Sequence, residues 1–310
     1  MDTSSFFKVA PEPPRIVAEI GCNHKGEMEI AREMIWTAAV FCKAHVAKFQ
    51  KRTNRELLSP EQYGAPHPNP TNSYGATYGE HREYLEFTLE QHRQLADWCA
   101  EAGIAYATSV WDVTSAREMS TLPASHLKVP SASNLHREML DVLCGEYGGE
   151  IHVSLGMTTP DEQEEVVAFF EDRGRAGDVV LYSCTSGYPV PVEDVCLLEI
   201  VRLRERFGHR VKEIGFSGHH LGIAMDTAAT VLGVGWIERH FTLDRTWKGT
   251  DHAASLEPDG LRRVARDTGA VASAMRYKEA DLLEIEKPQR DKLKWRPRPS
   301  IAAAEAGRGA

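Results

Sequence analysis

RIVAEIGCNHKGEMEIAREMIWTAAVFCKAHVAKFQ, residues 15–50, holds the unit from which the fold is read. It opens on RIVAEI (15–20), a short apolar run rich in β-branched residues and bounded by glycine, which is strand character. EMEIAREMIWTAAVFCK (27–43) follows with apolar residues at helical spacing, and HVAKFQ (45–50) is a second strand.

The same alternation continues outward along the chain. Helical EQHRQLADWCAEAG (90–103) leads into strand IAYATS (104–109), and TSAREMSTL (114–122) into HLKV (126–129). NLHREMLDVLCGEY (134–147) precedes IHVSLG (151–156). TPDEQEEVVAFFEDRG (159–174) places Thr159 as N-cap and Pro160 at the first helical position, and VVLYSCT (179–185) follows it. VEDVCLLEIVRLRERFG (192–208) leads to VKEIGFS (211–217), GIAMDTAATVLGVG (222–235) to WIERHF (236–241), and LEPDGLRRVARDTGAVASAM (256–275) closes the set. Eight strand-then-helix units predict an α/β chain folded as a (β/α)8 TIM barrel. No G-x-G-x-x-G fingerprint follows the first strand, which argues against an open dinucleotide-binding sheet. The polar, Pro- and Tyr-rich stretch from Gln50 to about residue 83 is too long for a plain connection and reads as an active-site loop.

These elements divide the chain into an N-terminal extension (1–14), a barrel domain (15–285) and a tail (286–310) that is basic and then Ala/Gly-rich. The 310 residues are 42% hydrophobic and 26% charged, the balance of a folded domain. The net charge of −9 argues against nucleic acid as a partner, because phosphate neutralisation needs a basic surface. It leaves an anionic small substrate open, since a local pocket can oppose the global charge. The six cysteines show no C-x-x-C pair, and their even scatter reads as reduced thiols in a cytoplasmic protein. No run of roughly 18 apolar residues occurs, so no membrane span is expected.

In a barrel of this kind the active site lies where the strands end. The polar residues there are Glu19, Cys22, Asn23 and His24 after the first strand, Lys48 and Gln50 on the second, and Thr108 and Ser109 on the third. Lys128 and Ser131 follow on the fourth and Ser154 on the fifth. The sixth gives Cys184, Thr185, Ser186 and Tyr188, the seventh Ser217 and His219, and the eighth Glu238 and His240. Any one of them alone has an ordinary reading as a rim residue. Two lysines and several hydroxyls converging on one mouth make an anion site, since lysine brings the charge and Ser/Thr the donors. Lys48, inside the apolar run VAKFQ, needs a partner if buried.

His219 and His240 end neighbouring strands, where two imidazoles either share one divalent ion or sit as hydrogen-bonded rim histidines. Glu238 shares a strand face with His240 and could hold a metal-bound water. Cys22, on the strand that closes against the eighth, is a candidate third ligand or a simple buried thiol. His220 points to the opposite side of its loop or begins the next helix, and is not expected to be a ligand.

Seven segments occur in order: AEIGCNHKGEMEIA (18–31), AKFQKR (47–52), LKVPSASN (127–134), VSLGMTT (153–159), CTSGYPVP (184–191), IGFSGHHLGIA (214–224) and IERHFTLDRTWKGTDHAASLEP (237–258). Together they resemble the sialic acid (N-acetylneuraminate) synthase family over roughly residues 15 to 295. The resemblance implies a (β/α)8 barrel that condenses phosphoenolpyruvate with N-acetylmannosamine or a related aldose, giving a nonulosonic 2-keto-3-deoxy acid and phosphate. Carried over position by position, it implies Lys48, Thr108, Lys128, Ser131, Ser154, Ser186 and Ser217 for phosphoenolpyruvate. Gln50, Ser133, Tyr188 and Asp251 would face the sugar, Glu19, Glu238 and Asp251 would serve as catalytic carboxylates, and His219 and His240 would hold a divalent Mn2+ or Mg2+. A homodimer is implied as well.

Ser133 stands where many members have a sugar-contacting glutamate, so an unusual or nucleoside-pathway aldose is an alternative acceptor. A non-catalytic anion-binding barrel is the alternative of a different class. Many members also carry a C-terminal antifreeze-like domain that caps the partner's site with an arginine. The 310 residues have no room for it, so the expectation is a mouth left open or capped by another protein.

Overall fold

In the computed structural model of the chain, which describes residues 12–295, the expected strands appear at nearly the expected places. They are β1 (Arg15–Gly21), β2 (Val46–Lys51), β3 (Ala105–Val110), β4 (His126–Val129), β5 (Glu150–Ser154), β6 (Val179–Cys184), β7 (Glu213–Gly218) and β8 (Trp236–His240). All pair in parallel, each with its chain neighbours, and β8 returns to β1 to close the barrel. The helices that cover the strands are α1 (Met28–Trp36), α2 (Leu89–Ala102), α3 (Val113–Ser120), α4 (Arg137–Glu146), α5 (Pro160–Asp172), α6 (Leu198–Phe207), α7 (Ala224–Val231) and α8 (Pro258–Ala274). Helix α5 starts as its sequence predicts: the Thr159 side chain accepts from the Glu162 backbone N–H, Glu162 reaches back, and Pro160 opens the first turn.

Alternation along each strand sorts the side chains into two packed layers. Outward residues such as Ile16, Ala18, Phe49, Leu127, Leu181 and Ile237 pack against the helices. Inward residues Val17, Val46, Ala107, Val180, Tyr182 and Trp236 fill the barrel. His126 and His152 add a stacked pair to this inner layer, with ring centroids 3.7 Å apart and both edge-on to Trp236. The filled lower interior leaves the strand ends above it free to carry polar groups.

The stretch between β2 and α2 is not a bare loop. It holds short helices at Asn54–Leu57, Pro60–Gly64 and Tyr78–Tyr84, the last opened by a Thr77/Glu80 capping box. Its Tyr74 hydroxyl donates to the Lys248 carbonyl at 2.6 Å, tying this connection to the segment after β8.

The barrel belongs to a compact unit that ends at Ala274, and Met275–Ala310 forms a second unit. Within the second, a turn at Glu284–Glu286 leads into the helix Lys287–Leu293, and Lys278 pairs with Glu286 at 2.7 Å. Residues 1–11 of the expected N-terminal extension, and the Ala/Gly-rich end from residue 296, lie outside the described residues. Among the described residues no helix is long and apolar enough to cross a membrane.

Candidate active site

The inward parity of each strand continues past its end and builds the mouth. Residue 19 from β1, residues 48 and 50 from β2, 109 and 111 from β3, 128 from β4 and 154 from β5 line one cavity of about 440 Å3. Residues 184, 186 and 188 after β6, 217 and 219 from β7, and 238 and 240 from β8 complete it, with Asp251 from the segment beyond. That volume suits two small metabolites rather than a polymer.

Its floor is a cluster of four buried charges. Lys48 is 1% exposed, Lys128 3%, and Glu19 and Glu238 5% each. The Lys48 ammonium pairs with Glu19, donates to the Ser109 hydroxyl at 2.7 Å and lies 3.6 Å from Glu238. Lys128 pairs with Glu238, and its Nζ sits 4.4 Å above the Tyr182 ring, the top of the inner apolar layer. The Ser217 hydroxyl donates to Glu238 at 3.0 Å.

Burial alone would raise the Glu238 pKa, but Lys128 and Lys48 together outweigh it and hold the carboxylate well below its ordinary range. Glu19 goes the other way. Burial outweighs the pull of Lys48, nearby Glu238 adds to it, and the carboxyl is raised to about 7. One carboxylate is therefore fixed as an anion, and the other can hold or release a proton near neutrality.

Gly156 shapes the wall beside this cluster. A Cβ there would lie 2.5 Å from the Ser131 hydroxyl and 2.6 Å from that of Ser186, so its absence lets both hydroxyls converge. Gly21, at φ +55°, turns the chain immediately after β1, where a Cβ would meet the Glu19 carboxylate at 3.2 Å. Ser131, Ser154, Ser186 and Ser217 all line the cavity, as do Gln50, Tyr188 and Asp251. Gln50 donates to the Cys22 sulfur, which also lies 3.1 Å from Arg52. Burial pushes the Cys22 thiol up to about 12, so it stays protonated. Thr250 donates to the Asp251 carboxylate at 3.1 Å.

Two expected residues are not where they were expected. Thr108 is wholly buried on the outward face of β3, in register with Phe49, and does not line the cavity. Ser109, one residue on, takes its place beside Lys48, because a one-residue step reverses the face. Ser133 turns away: its hydroxyl donates to the Trp111 carbonyl at 2.9 Å, and the cavity wall there is Ala132.

His219 and His240 face each other with ring centroids 5.3 Å apart. Burial drives both down to about 3, so each is neutral and keeps a basic nitrogen. His219 Nδ1 donates to the Thr185 carbonyl at 3.1 Å, which leaves the lone pair on Nε2. His240 Nδ1 is buried without a hydrogen-bond partner. The Tyr188 ring covers the pair, 4.4 Å from His219 and 5.8 Å from His240. No group of three or more His, Cys, Asp or Glu side chains able to hold a metal occurs among the described residues. Two neutral imidazoles, one with an orphaned nitrogen, fit an ion that keeps most of its sites for water and substrate.

His220 lies behind the mouth. It contacts Arg239 at 3.0 Å, and Arg239 in turn pairs with the fully buried Asp226. That assembly links β7, β8 and α7.

Sequence reasoning passed over Arg52, His67, His81 and Arg82, which line the cavity together with Trp111, the end of the Thr108–Trp111 segment expected to shape the pocket wall. Arg52 and Trp111 were legible in principle, because each extends the inward parity of its strand. The other three come from the β2–α2 connection, where no strand period applies.

A closed (β/α)8 barrel with paired buried lysines and carboxylates at its mouth defines an anion-handling barrel of the enzyme type. Residues 34–280 match the NeuB family. The chain is 36% identical to N-acetylneuraminate-9-phosphate synthase of Homo sapiens over 286 residues, which is 91% of this chain and 76% of that protein. It is 30% identical to N,N'-diacetyllegionaminic acid synthase of Campylobacter jejuni over 261 residues, covering 84% of this chain and 77% of the relative. In three dimensions it is similar to the N-acetylneuraminic acid synthetase of Leptospira borgpetersenii solved with citrate, at a TM-score of 0.76 and 24% identity, covering 92% of this chain and 94% of that one. The chain belongs to the NeuB family, that of the sialic acid synthases.

Proposed function

We propose that this protein condenses phosphoenolpyruvate with an open-chain aldose to give a nonulosonic 2-keto-3-deoxy acid and inorganic phosphate. The observation that carries the reading is the buried Lys48–Glu19 and Lys128–Glu238 cluster, ringed by Ser109, Ser131, Ser154, Ser186 and Ser217. Relatives that make N-acetylneuraminate 9-phosphate, diacetyllegionaminic acid and pseudaminic acid support it.

In the reaction C3 of the enolpyruvate bonds to the aldehyde carbon, and water adds at C2. The C2–O bond to phosphorus then breaks, leaving the 2-keto group and phosphate. The dianionic phosphate suits Lys48 and Lys128, whose charge is only partly matched by Glu19 and Glu238. Glu238 serves as the fixed counter-charge. Glu19, half-protonated near pH 7, is suited to give the aldehyde oxygen its proton or to take one from the attacking water. His219 and His240 would hold a divalent Mn2+ or Mg2+, which when bound supplies Lewis-acid polarisation of the aldehyde. Gln50, Tyr188 and Asp251 present hydrogen-bonding groups to the sugar. A homodimeric, cytoplasmic enzyme is part of the same reading.

A non-catalytic barrel has no use for four buried charges, each costly to desolvate. Release of phosphate from phosphoenolpyruvate, measured with manganese and a panel of aldoses, tests the proposal. We expect release only when phosphoenolpyruvate, ion and an aldose are all present. Absence of release with every aldose tried would overturn it.

A further inference from the structure

We propose that Arg239 is a positioning residue for the histidine pair: from β8 its guanidinium holds the loop after β7, and so sets the spacing of His219 and His240. The proposal rests on the assignment of the ion to that pair and adds what keeps the two imidazoles at one distance.

The ladder between β7 and β8 ends with Gly218 level with Arg239. His219 is the first residue beyond it, so strand pairing with β8 no longer places it. Strand parity brings Glu238 and His240 into the cavity and turns Arg239 to the other side. The Arg239 side chain is buried there and spends its donors on the loop after β7. Its Nη2 donates to the His220 carbonyl at 2.6 Å. Its Nη1 donates to the Gly222 carbonyl at 3.0 Å and lies 3.0 Å from His220 Nε2. Asp226, in the first turn of α7, is wholly buried and neutralises the guanidinium. Two further ties hold His219, and both run toward the segment after β6. Its Nδ1 donates to the Thr185 carbonyl at 3.1 Å, and its carbonyl accepts from the Val190 N–H at 3.0 Å. Arg239 supplies the tie to the strand that carries His240.

Packing alone does not account for the pair. Burying Arg239 and Asp226 costs the hydration of two charges, and apolar side chains of the same volume would join α7 to the barrel without that cost. What a guanidinium adds is a planar fork of donors, which fixes two carbonyls in direction as well as in distance. Those carbonyls belong to residues 220 and 222, immediately after His219. The fork itself stands on β8 between Glu238 and His240. One side chain thus joins the backbone beside one imidazole to the backbone beside the other. An ion shared by two imidazoles tolerates little change in their separation, since ligand distances are held to about 0.2 Å. A loop free to drift would lose the ion while leaving the lysines on the cavity floor in place.

Calorimetry with Mn2+ and, separately, with phosphoenolpyruvate tests this on wild type, Arg239→Lys and the double substitution Arg239→Met/Asp226→Asn. The double substitution removes both charges together, so neither is stranded in the core. We expect it to weaken Mn2+ binding on the order of 10- to 100-fold, the scale of a residue that orients a metal ligand, and Arg239→Lys to weaken it less. Phosphoenolpyruvate affinity, measured without the ion, should keep its wild-type value in both. A purely structural role would lower stability in urea and leave Mn2+ affinity unchanged, and that result would overturn the proposal. So would a parallel loss of phosphoenolpyruvate affinity, or a wild type that binds no Mn2+. Kinetics then separate the positioning role from the condensation reading. Variant turnover that recovers at saturating Mn2+ supports both. Weakened Mn2+ binding in the variants, with no turnover of any aldose by wild type, removes the condensation reading and leaves the positioning role standing.

Discussion

Glu19 and Glu238 are sealed in the same barrel mouth, yet the lysines divide them. Glu238 lies within ion-pair distance of both Lys48 and Lys128, whereas Glu19 pairs with Lys48 and feels Lys128 only more weakly. With its pKa raised from the ordinary 4.5 to about 7, the folded state keeps a proton that the unfolded state loses across that window. The contribution of Glu19 to stability therefore falls as pH rises from 4.5 through 7. Replacing it with glutamine, which never ionises, should make the variant gain stability relative to wild type over that range. Urea unfolding at stepped pH checks this, and parallel curves would contradict it. The limb of the kcat/KM profile near pH 7 should vanish in the same variant. Lys128→Met tests the other pair. It should raise the KM for phosphoenolpyruvate on the order of 10- to 100-fold, the scale of a lost charged hydrogen bond, with partial rescue by Lys128→Arg. An unchanged KM would place the phosphate elsewhere.

Strands present these residues through their period of two, and that period explains both what could be read in advance and what could not. Strand positions were legible because each apolar run is short and bounded, and His219, Glu238 and His240 fell on the inward parity directly. Thr108 did not, because in the run TS both residues are small hydroxyls and only the register with β2 shows which one faces inward. Kinetics can read that register. Ser109→Ala, which removes the Lys48 partner at 2.7 Å, should raise the phosphoenolpyruvate KM, whereas Thr108→Val should leave it unchanged. Equal effects would contradict the face assignment. Arg82, His67 and His81 were illegible for another reason: the connection between β2 and α2 has no periodicity, and its long-range contacts decide which side chains enter the cavity. Behind β7 and β8, Asp226 neutralises Arg239, and both are essentially inaccessible. Asp226→Asn strands that charge and should cost about 3–5 kcal/mol in urea unfolding. A loss under 1 kcal/mol would mean that Arg239 finds another acceptor in the folded state.

Closure of the barrel brings the two ends of the domain together, since β1 pairs with β8 and Glu19 stands level with His240. An ion held between His219 and His240 would bridge β7 and β8 and sit beside this seam. The unfolded chain has no such site, so binding should stabilise the whole barrel by RT ln(1 + [ion]/Kd), about 2.7 kcal/mol at a hundred times Kd. For a domain of this size that is a rise in melting temperature of roughly 5 °C. We expect Mn2+ to give such a rise in wild type and none in His219→Gln or His240→Gln. Cys22→Ser should keep it, because the Cys22 sulfur is engaged by Gln50 and Arg52 and its thiol stays protonated. Phosphoenolpyruvate alone should still stabilise both histidine variants, since its lysines are intact, and this control separates loss of the ion from damage to the mouth. A manganese shift that survives in both histidine variants would move the ion away from this pair, and the aldehyde polarisation assigned to it would move as well.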